Sequence, residues 1–131
     1  MTGEAAVVRD IQSRWAALFA AKDWAGLSGL YTEHPAFFGS TPELNGSRAA
    51  VRAYFETLPA SLLAARFATP VVTPLGPDCL AASGPVVFVA AGATNQVELA
   101  FRMTQVLVRE AGSWHIAVHH ASASPGPLLG E

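Results

Sequence analysis

The sequence has little charge and almost no cysteine. Charged side chains make up 14% of the 131 residues, and the net charge is −2. Lys22 is the single lysine and the arginines are scattered, so there is no basic stripe and we expect no nucleic-acid partner. Cys79 is the lone cysteine, which excludes a disulfide framework and a cysteine-based zinc site.

Long apolar runs and targeting signals are also lacking. No run approaches the about 20 apolar residues that span a bilayer, and the first ten residues lack the basic start and apolar stretch of a signal peptide. We therefore expect a cytoplasmic protein without a membrane partner. Apolar residues nevertheless make up 51% of the chain. With so few charges, a monomer would expose an apolar face, so we predict a homodimer.

In the N-terminal half, apolar residues recur at helical spacing. Over residues 4–21 they fall at steps of three and four, which predicts one helix with an apolar stripe. Asp23 is a suitable N-cap for a second, short helix that reaches Tyr31 and is ended by the proline of "TEHP". Residues 36–39 predict a short strand, and a third helix begins after the cap Ser47.

The second half is rich in Val, Ala, Thr and Phe, which predicts four long strands joined by turns that each contain glycine. Sequential strands on short turns pair antiparallel. The sequence therefore predicts an α+β domain in which three N-terminal helices pack on a strongly curved, mainly antiparallel sheet. We assign residues 1–124 to this single domain and expect a flexible tail over 125–131. The predicted strands are 62–75, 79–92, 96–110 and 113–124.

The order of these elements and four stretches of sequence resemble the nuclear transport factor 2-like superfamily. Within it, the chain looks most like the SnoaL-like proteins and the association domain of calcium/calmodulin-dependent kinase II. The stretches are "WAALFAAKDW", "LYTEHPAFFG", "LNGSRAAVRAYFE" and, most specific, "MTQVLVREAGSWHIAVHHAS". The resemblance implies a cystatin-like cone that encloses a pocket, usually as a homodimer paired sheet to sheet. It implies no single function, because this fold hosts isomerases, cyclases, hydrolases, binding modules and assembly hubs.

His119 and His120 stand side by side near the end of the last predicted strand. Neighbouring side chains on a strand point to opposite faces, so the two cannot chelate one ion. His115 shares the face of His119, but four residues at about 3.3 Å each separate them by about 13 Å. Zinc ligands lie about 2 Å from the metal. We therefore predict no metal site.

Alternation along this strand also sorts its residues. It places Ile116 and His120 on one bulky face, and His119 on a face of small residues that leaves room for a ligand. His119 is then the polar group beside the void, while a structural role is the simpler interpretation of His120. The resemblance implies that the positions of two pocket arginines in the kinase association domain are occupied here by Gln105 and Ala121. This chain lacks that cationic pair, so the resemblance does not extend to carboxylate binding.

We expect a mostly apolar pocket with two polar anchors. Gln105 and His119 are the predicted anchors, because a polar side chain among apolar groups needs a hydrogen-bond partner. For the wall residues, packing in the core is the alternative interpretation. The predicted walls are Trp15, Tyr31, Phe38, Tyr54 and Met103.

Three functions stay open. The first is binding of a small hydrophobic organic molecule, with no cofactor. The second is an isomerase- or cyclase-type enzyme with His119 or His120 as general base, although the four long strands contain none of the aspartates that such family enzymes use. The third is an assembly module in which the sheet face itself is the function.

Overall fold

The computed structural model of the protein describes residues 3–126. Of the tail predicted at 125–131, residues 127–131 lie outside the described residues. Within residues 3–126, none of the helices combines the length and apolar character needed to cross a membrane. The described helices are α1 (Gly3–Ala21), α2 (Trp24–Ser28) and α3 (Arg48–Glu56). The strands are β1 (Tyr31–Phe38), β2 (Leu44–Asn45), β3 (Leu62–Phe67), β4 (Val71–Gly76), β5 (Cys79–Ala91), β6 (Gln96–Glu110) and β7 (Ser113–Ala123).

The helices begin where their caps predict. The Asp23 carboxylate accepts a hydrogen bond from the Gly26 N–H at 2.9 Å, and the Ser47 hydroxyl accepts one from the Ala50 N–H at 3.0 Å. Both caps satisfy N–H groups that the first turn of a helix leaves free. The predicted stripe of α1 is also confirmed, since its members in the core are each 1% exposed: Val8, Ile11, Trp15 and Phe19.

The strands form one sheet in the order β2-β1-β7-β6-β5-β3, and β4 pairs with β5 beyond the end of β3. All described pairs are antiparallel except β1 with β7, which are parallel. The α+β architecture with three helices on a curved, mainly antiparallel sheet is therefore confirmed. The β1–β7 pair brings the first strand of the chain beside the last, so residues far apart in sequence lie on neighbouring strands.

Two predicted segments differ from the structure. Residues 62–75 form two strands rather than one, because Pro70 lies against Gly84 of β5 and both β3 and β4 pair with that long strand. Tyr31 begins β1 instead of ending a helix. The Leu30 carbonyl accepts a hydrogen bond from the Ile116 N–H at 2.8 Å, so pairing with β7 overrides the local helical pattern.

A bulge in β7 corrects the strict alternation expected along that strand. Val106 pairs with Val118, but the next residue of β6, Leu107, pairs with Ile116, which leaves Ala117 as an extra residue. As a result Ile116 and His119 both point into the core, and they are 0% and 2% exposed. The expectation that Ile116 shares a face with His120 is therefore wrong.

Candidate functional site

A cavity of about 300 Å³ lies between α1, α3 and the helix-covered face of the sheet. No charged side chain is among the described residues that line it. Most of its wall is apolar, with seven aromatic residues among those that line it, and its polar groups are few. The aromatic lining residues are Trp15, Phe19, Phe37, Tyr54, Phe55, Phe88 and Phe101, and the polar side chains are Ser40, Ser61, His119 and the Tyr54 hydroxyl.

His119 is held rigidly at this cavity by β7. Its ring stacks on Phe37, with centroids 4.3 Å apart, and lies nearly parallel to Trp15 at 6.3 Å. Strand pairing fixes both sides, because His119 is opposite Phe37 on β1 and Gln105 on β6. Burial away from water, with a smaller effect of His120, lowers the pKa of His119 from 6.5 to about 3. The imidazole is therefore neutral at ordinary pH.

Behind His119 lies a chain of buried polar side chains. Trp15 Nε1 donates to the Tyr31 hydroxyl at 2.9 Å, and that hydroxyl lies 3.0 Å from His119 Nδ1. Gln105 Nε2 lies 3.3 Å from the same Nδ1, and Gln12 Nε2 donates to Gln105 Oε1 at 3.3 Å. Burial raises the pKa of Tyr31 well above its usual value, so its hydroxyl keeps its proton.

A second polar pair is formed by Tyr54 of α3 and Ser40. The Tyr54 hydroxyl accepts a hydrogen bond from the Ser40 N–H at 2.8 Å and lies 2.8 Å from the Ser40 hydroxyl. Gly39 permits this approach, because a Cβ there would lie 2.3 Å from Tyr54 Cζ. The sequence predicts Tyr54 as a wall residue but carries no signal for Gly39 or Ser40, which lie just beyond β1.

The structure brings most of the predicted site residues together. Trp15, Tyr54 and His119 line the cavity. Tyr31 and Gln105 lie behind the cavity and are hydrogen-bonded to His119. These five side chains therefore form one connected site, although two of them support the wall rather than form it.

Three predicted residues lie elsewhere. Met103 is buried at 5% exposure and is outside the described cavity lining. Phe38 and His120 point to the opposite face of the sheet, with ring centroids 5.4 Å apart and both exposed. Phe38 faces outward because Phe37, its neighbour on β1, faces inward. The structure thus corrects the expected wall role of Phe38 and removes His120 from the cavity.

Several residues of the cavity lining carry no sequence signal that places them there. Phe37, Phe88 and Phe101 lie on three different strands, and their meeting depends on the sheet order. Phe55 belongs to the apolar stripe of α3, which indicates burial but not the edge of a cavity. Among residues 3–126 no group of three or more His, Cys, Asp or Glu side chains could hold a metal ion.

Comparison with known proteins places the chain in a family. Residues 8–126 match the family described as SnoaL-like domain, while among proteins with curated descriptions none matches. One similar solved structure is a Xanthomonas campestris protein provisionally described as a calcium/calmodulin dependent protein kinase II association domain. It is 24% identical with a TM-score of 0.85, over 95% of this chain and 90% of that one.

Two further solved structures show the same fold. A Novosphingobium aromaticivorans protein, described as ntf2-like with a cystatin-like fold, is 17% identical with a TM-score of 0.82, over 98% of this chain and 84% of that one. An Erwinia carotovora atroseptica protein, described as ketosteroid isomerase-like, is 16% identical with a TM-score of 0.76, over 95% and 100%. The fold that the resemblance to the nuclear transport factor 2-like superfamily implies is thereby confirmed, and the match over residues 8–126 shows that the chain belongs to the SnoaL-like domain family.

Proposed function

We propose that this SnoaL-like domain binds one small, mostly apolar organic molecule in the cavity between α1, α3 and the sheet. The observation that carries the proposal is the apolar, aromatic-rich wall around about 300 Å³, with His119 as a buried polar side chain within it. Sites for small molecules are usually concave, mostly apolar and furnished with a few polar groups. The volume lies at the small end of their range of about 300–1,000 Å³.

The apolar walls supply the driving force for binding. Each Å² of apolar ligand surface removed from water contributes about 25 cal/mol. The rings also support one another: Trp15 makes edge contacts with Phe55 at 5.9 Å and Phe88 at 6.4 Å between centroids. Because the walls are already held in place, little side-chain ordering opposes binding.

The described lining also favours a neutral ligand. A charged molecule would lose hydration there without finding an opposite charge. The description of the Erwinia relative as ketosteroid isomerase-like agrees with a neutral ring compound. General acid–base catalysis by a carboxylate finds no support in the described lining, so we place ligand binding ahead of the isomerase- or cyclase-type alternative.

Native mass spectrometry with a cavity-filling variant tests the proposal. Ala121 lines the cavity at 7% exposure, so Ala121→Leu adds bulk inside it. Ala123→Leu adds the same bulk at an exposed position of the same strand, as a matched control. Under harsh activation, the wild type and the control should release a small molecule acquired during expression or from a library of neutral ring compounds. Ala121→Leu, checked for folding by circular dichroism, should release none.

Two results would contradict the proposal. If the folded wild type carries no molecule and takes up none of the library, the cavity is not a ligand site. If Ala121→Leu binds as well as Ala123→Leu, the molecule occupies another part of the protein.

We also propose that the protein is a homodimer paired through the opposite face of the sheet. Phe38 and Val118, each 38% exposed, lie on that face near His120. A second copy would cover these apolar side chains, in agreement with the apolar composition. The cytoplasmic location expected from the sequence likewise stays a prediction.

A further inference from the structure

The hydrogen-bond chain behind His119 determines which ring nitrogen carries the proton. A neutral imidazole has one N–H donor and one acceptor nitrogen. Two groups approach the same nitrogen, Nδ1: the Tyr31 hydroxyl at 3.0 Å and Gln105 Nε2 at 3.3 Å. The direction of these bonds follows from the next residue along the chain.

Trp15 sets that direction, because an indole N–H can only donate. It donates to the Tyr31 hydroxyl at 2.9 Å. The hydroxyl's own proton then needs an acceptor, and His119 Nδ1 is in reach. If Nδ1 carried a proton, it and Trp15 would both donate to this hydroxyl, whose proton would lack an acceptor within the described structure. A buried donor left in this state is costly.

The glutamine pair agrees with this direction. Gln105 Oε1 accepts from Gln12 Nε2, so the Gln105 NH₂ group is turned toward His119. Two donors therefore converge on Nδ1, which accepts from both. The proton of the neutral ring lies on Nε2, the nitrogen away from Tyr31 and Gln105. Among the described residues Nε2 has no hydrogen-bond partner, and the His119 side chain belongs to the cavity wall.

We propose that His119 presents a fixed Nε2–H donor to the cavity, and that the ligand is a neutral ring compound with an accepting oxygen of the carbonyl class. This inference rests on the proposed function, because it names the chemistry of the molecule that occupies the cavity. Stacking on Phe37 at 4.3 Å holds the ring plane, so the N–H direction is set before the ligand arrives. A ligand whose polar group is only a donor would meet another donor there.

The same arrangement gives His119 a role that differs from that of a general base, which the sequence alone leaves open. Neither nitrogen offers a free lone pair to a substrate, since Nδ1 is occupied by two donors and Nε2 carries the proton. His119 therefore binds and orients an oxygen atom, and it does not remove a proton from carbon.

Nuclear magnetic resonance tests the donor without any ligand. In ¹⁵N-labelled protein, long-range ¹H–¹⁵N correlations distinguish the two neutral forms of a histidine ring. We expect the Nε2–H form for His119, unchanged as the pH is varied across the neutral range. His119→Asn identifies the signals by their loss, and His120→Gln should leave them in place. An Nδ1–H form, or a ring that exchanges between both forms, would overturn the proposal.

Tyr31→Phe separates the Tyr31 hydrogen bond from packing alone. The phenyl ring keeps the apolar shape, but Nδ1 loses its closer donor. We expect a measurable Nδ1–H population in this variant. If the Nε2–H form stays as pure as in the wild type, the Trp15–Tyr31 pair does not set the proton position and the argument fails.

Three probes of one ring skeleton test the ligand class by calorimetry: 1-tetralone, tetralin and 1-aminotetralin. One net hydrogen bond corresponds to roughly three- to tenfold in affinity, so 1-tetralone should bind the wild type by about that factor more tightly than tetralin. The cationic amine should bind most weakly. In His119→Asn, the shorter side chain has no N–H at the position of Nε2, so the ketone's advantage should disappear.

The outcomes separate the two proposals. If tetralin binds as tightly as 1-tetralone, the cavity binds apolar molecules but the carbonyl inference fails. If none of the three probes binds, the carbonyl inference fails, while the proposed function fails only if native mass spectrometry also finds no molecule that Ala121→Leu excludes.

Discussion

His119 and His120 are neighbours in the chain, but the two faces of the sheet give them opposite surroundings. His119 is 2% exposed, stacks on Phe37 and has a pKa lowered to about 3. His120 is exposed and lies against Phe38, at 5.4 Å between ring centroids. One step along a strand moves a histidine from a buried network to the surface. The residue type alone therefore says little about its chemistry.

The two faces form a natural internal control because the same pair of residue types occurs on each. Parallel pairing aligns Phe37 with His119 and Phe38 with His120. Helices α1 and α3 cover the inner pair, whereas no described residue covers the outer pair to the same degree. Matched substitutions on the two faces measure what that cover contributes.

The largest contrast is expected between Phe37→Ala and Phe38→Ala. Phe37 is 1% exposed and contacts Tyr31, Tyr54 and Phe55, so its loss should cost about 3–5 kcal/mol of unfolding free energy. Phe38 is 38% exposed, and its loss should cost about 1 kcal/mol or less. Urea unfolding followed by tryptophan fluorescence measures both. Equal costs would show that the outer face is as well packed as the inner one.

The next largest effect is expected in the pH dependence of the free energy of unfolding, because His119 is buried. Between pH 6.5 and 3 the unfolded chain binds a proton at His119 that the folded protein does not. The contribution of His119 to the free energy of unfolding is therefore fully present above pH 6.5. Below pH 6.5 the free energy of unfolding falls by up to about 1.4 kcal/mol per pH unit because of this group.

Variants of each histidine isolate this slope from the carboxylates that titrate in every variant. His119→Asn should flatten the pH dependence of unfolding between pH 6.5 and 5, and His120→Gln should preserve it. A slope that His120→Gln removes and His119→Asn leaves would reverse the assignment of the buried group.

Gly39→Ala should have a smaller effect, confined to the rim of the cavity. The added Cβ would meet the Tyr54 ring at 2.3 Å, so Tyr54 must move, at about 1–3 kcal/mol. At Gly46 a Cβ would meet nothing within 4 Å, and Gly46→Ala should stay within about 0.5 kcal/mol. Thermal unfolding of both variants compares them. Equal stability would mean that the contact between Gly39 and Tyr54 is easily relaxed.

Most of the fold was predictable because local rules and tertiary packing agree. The caps Asp23 and Ser47 and the stripe of α1 each carry a local signal that the structure confirms. Prediction failed where distant pairing decides. Tyr31 follows an apolar helical pattern, yet the bond from Ile116 to Leu30 commits this segment to β1.

The site was predictable in part, for the same reason. Gln105 faces the core, and His119 and His120 point to opposite faces, as local alternation on each side of the bulge indicates. The bulge at Ala117, however, has no sequence signal, because it depends on the pairing of Val106 with Val118. Phe37 and Phe38 could not be told apart before the register of β1 on β7 was known.

The smallest effect on folding, but a clear one on assembly, is expected from Val118→Glu. Val118 is 38% exposed on the outer face, so a monomer should tolerate the carboxylate to within about 0.5 kcal/mol. In the proposed homodimer two such carboxylates would be buried without partners, which strongly opposes association. Light scattering should therefore report a dimer for the wild type and a monomer for the variant. Val71→Glu, at a valine that is 70% exposed on β4, is the control and should remain dimeric.

If Val118→Glu stays dimeric, or both variants dissociate, the outer face around Phe38 and His120 is not the specific interface. If the wild type is a monomer, that face is simply exposed to water, and the contrast between the two histidines reflects the helical cover alone.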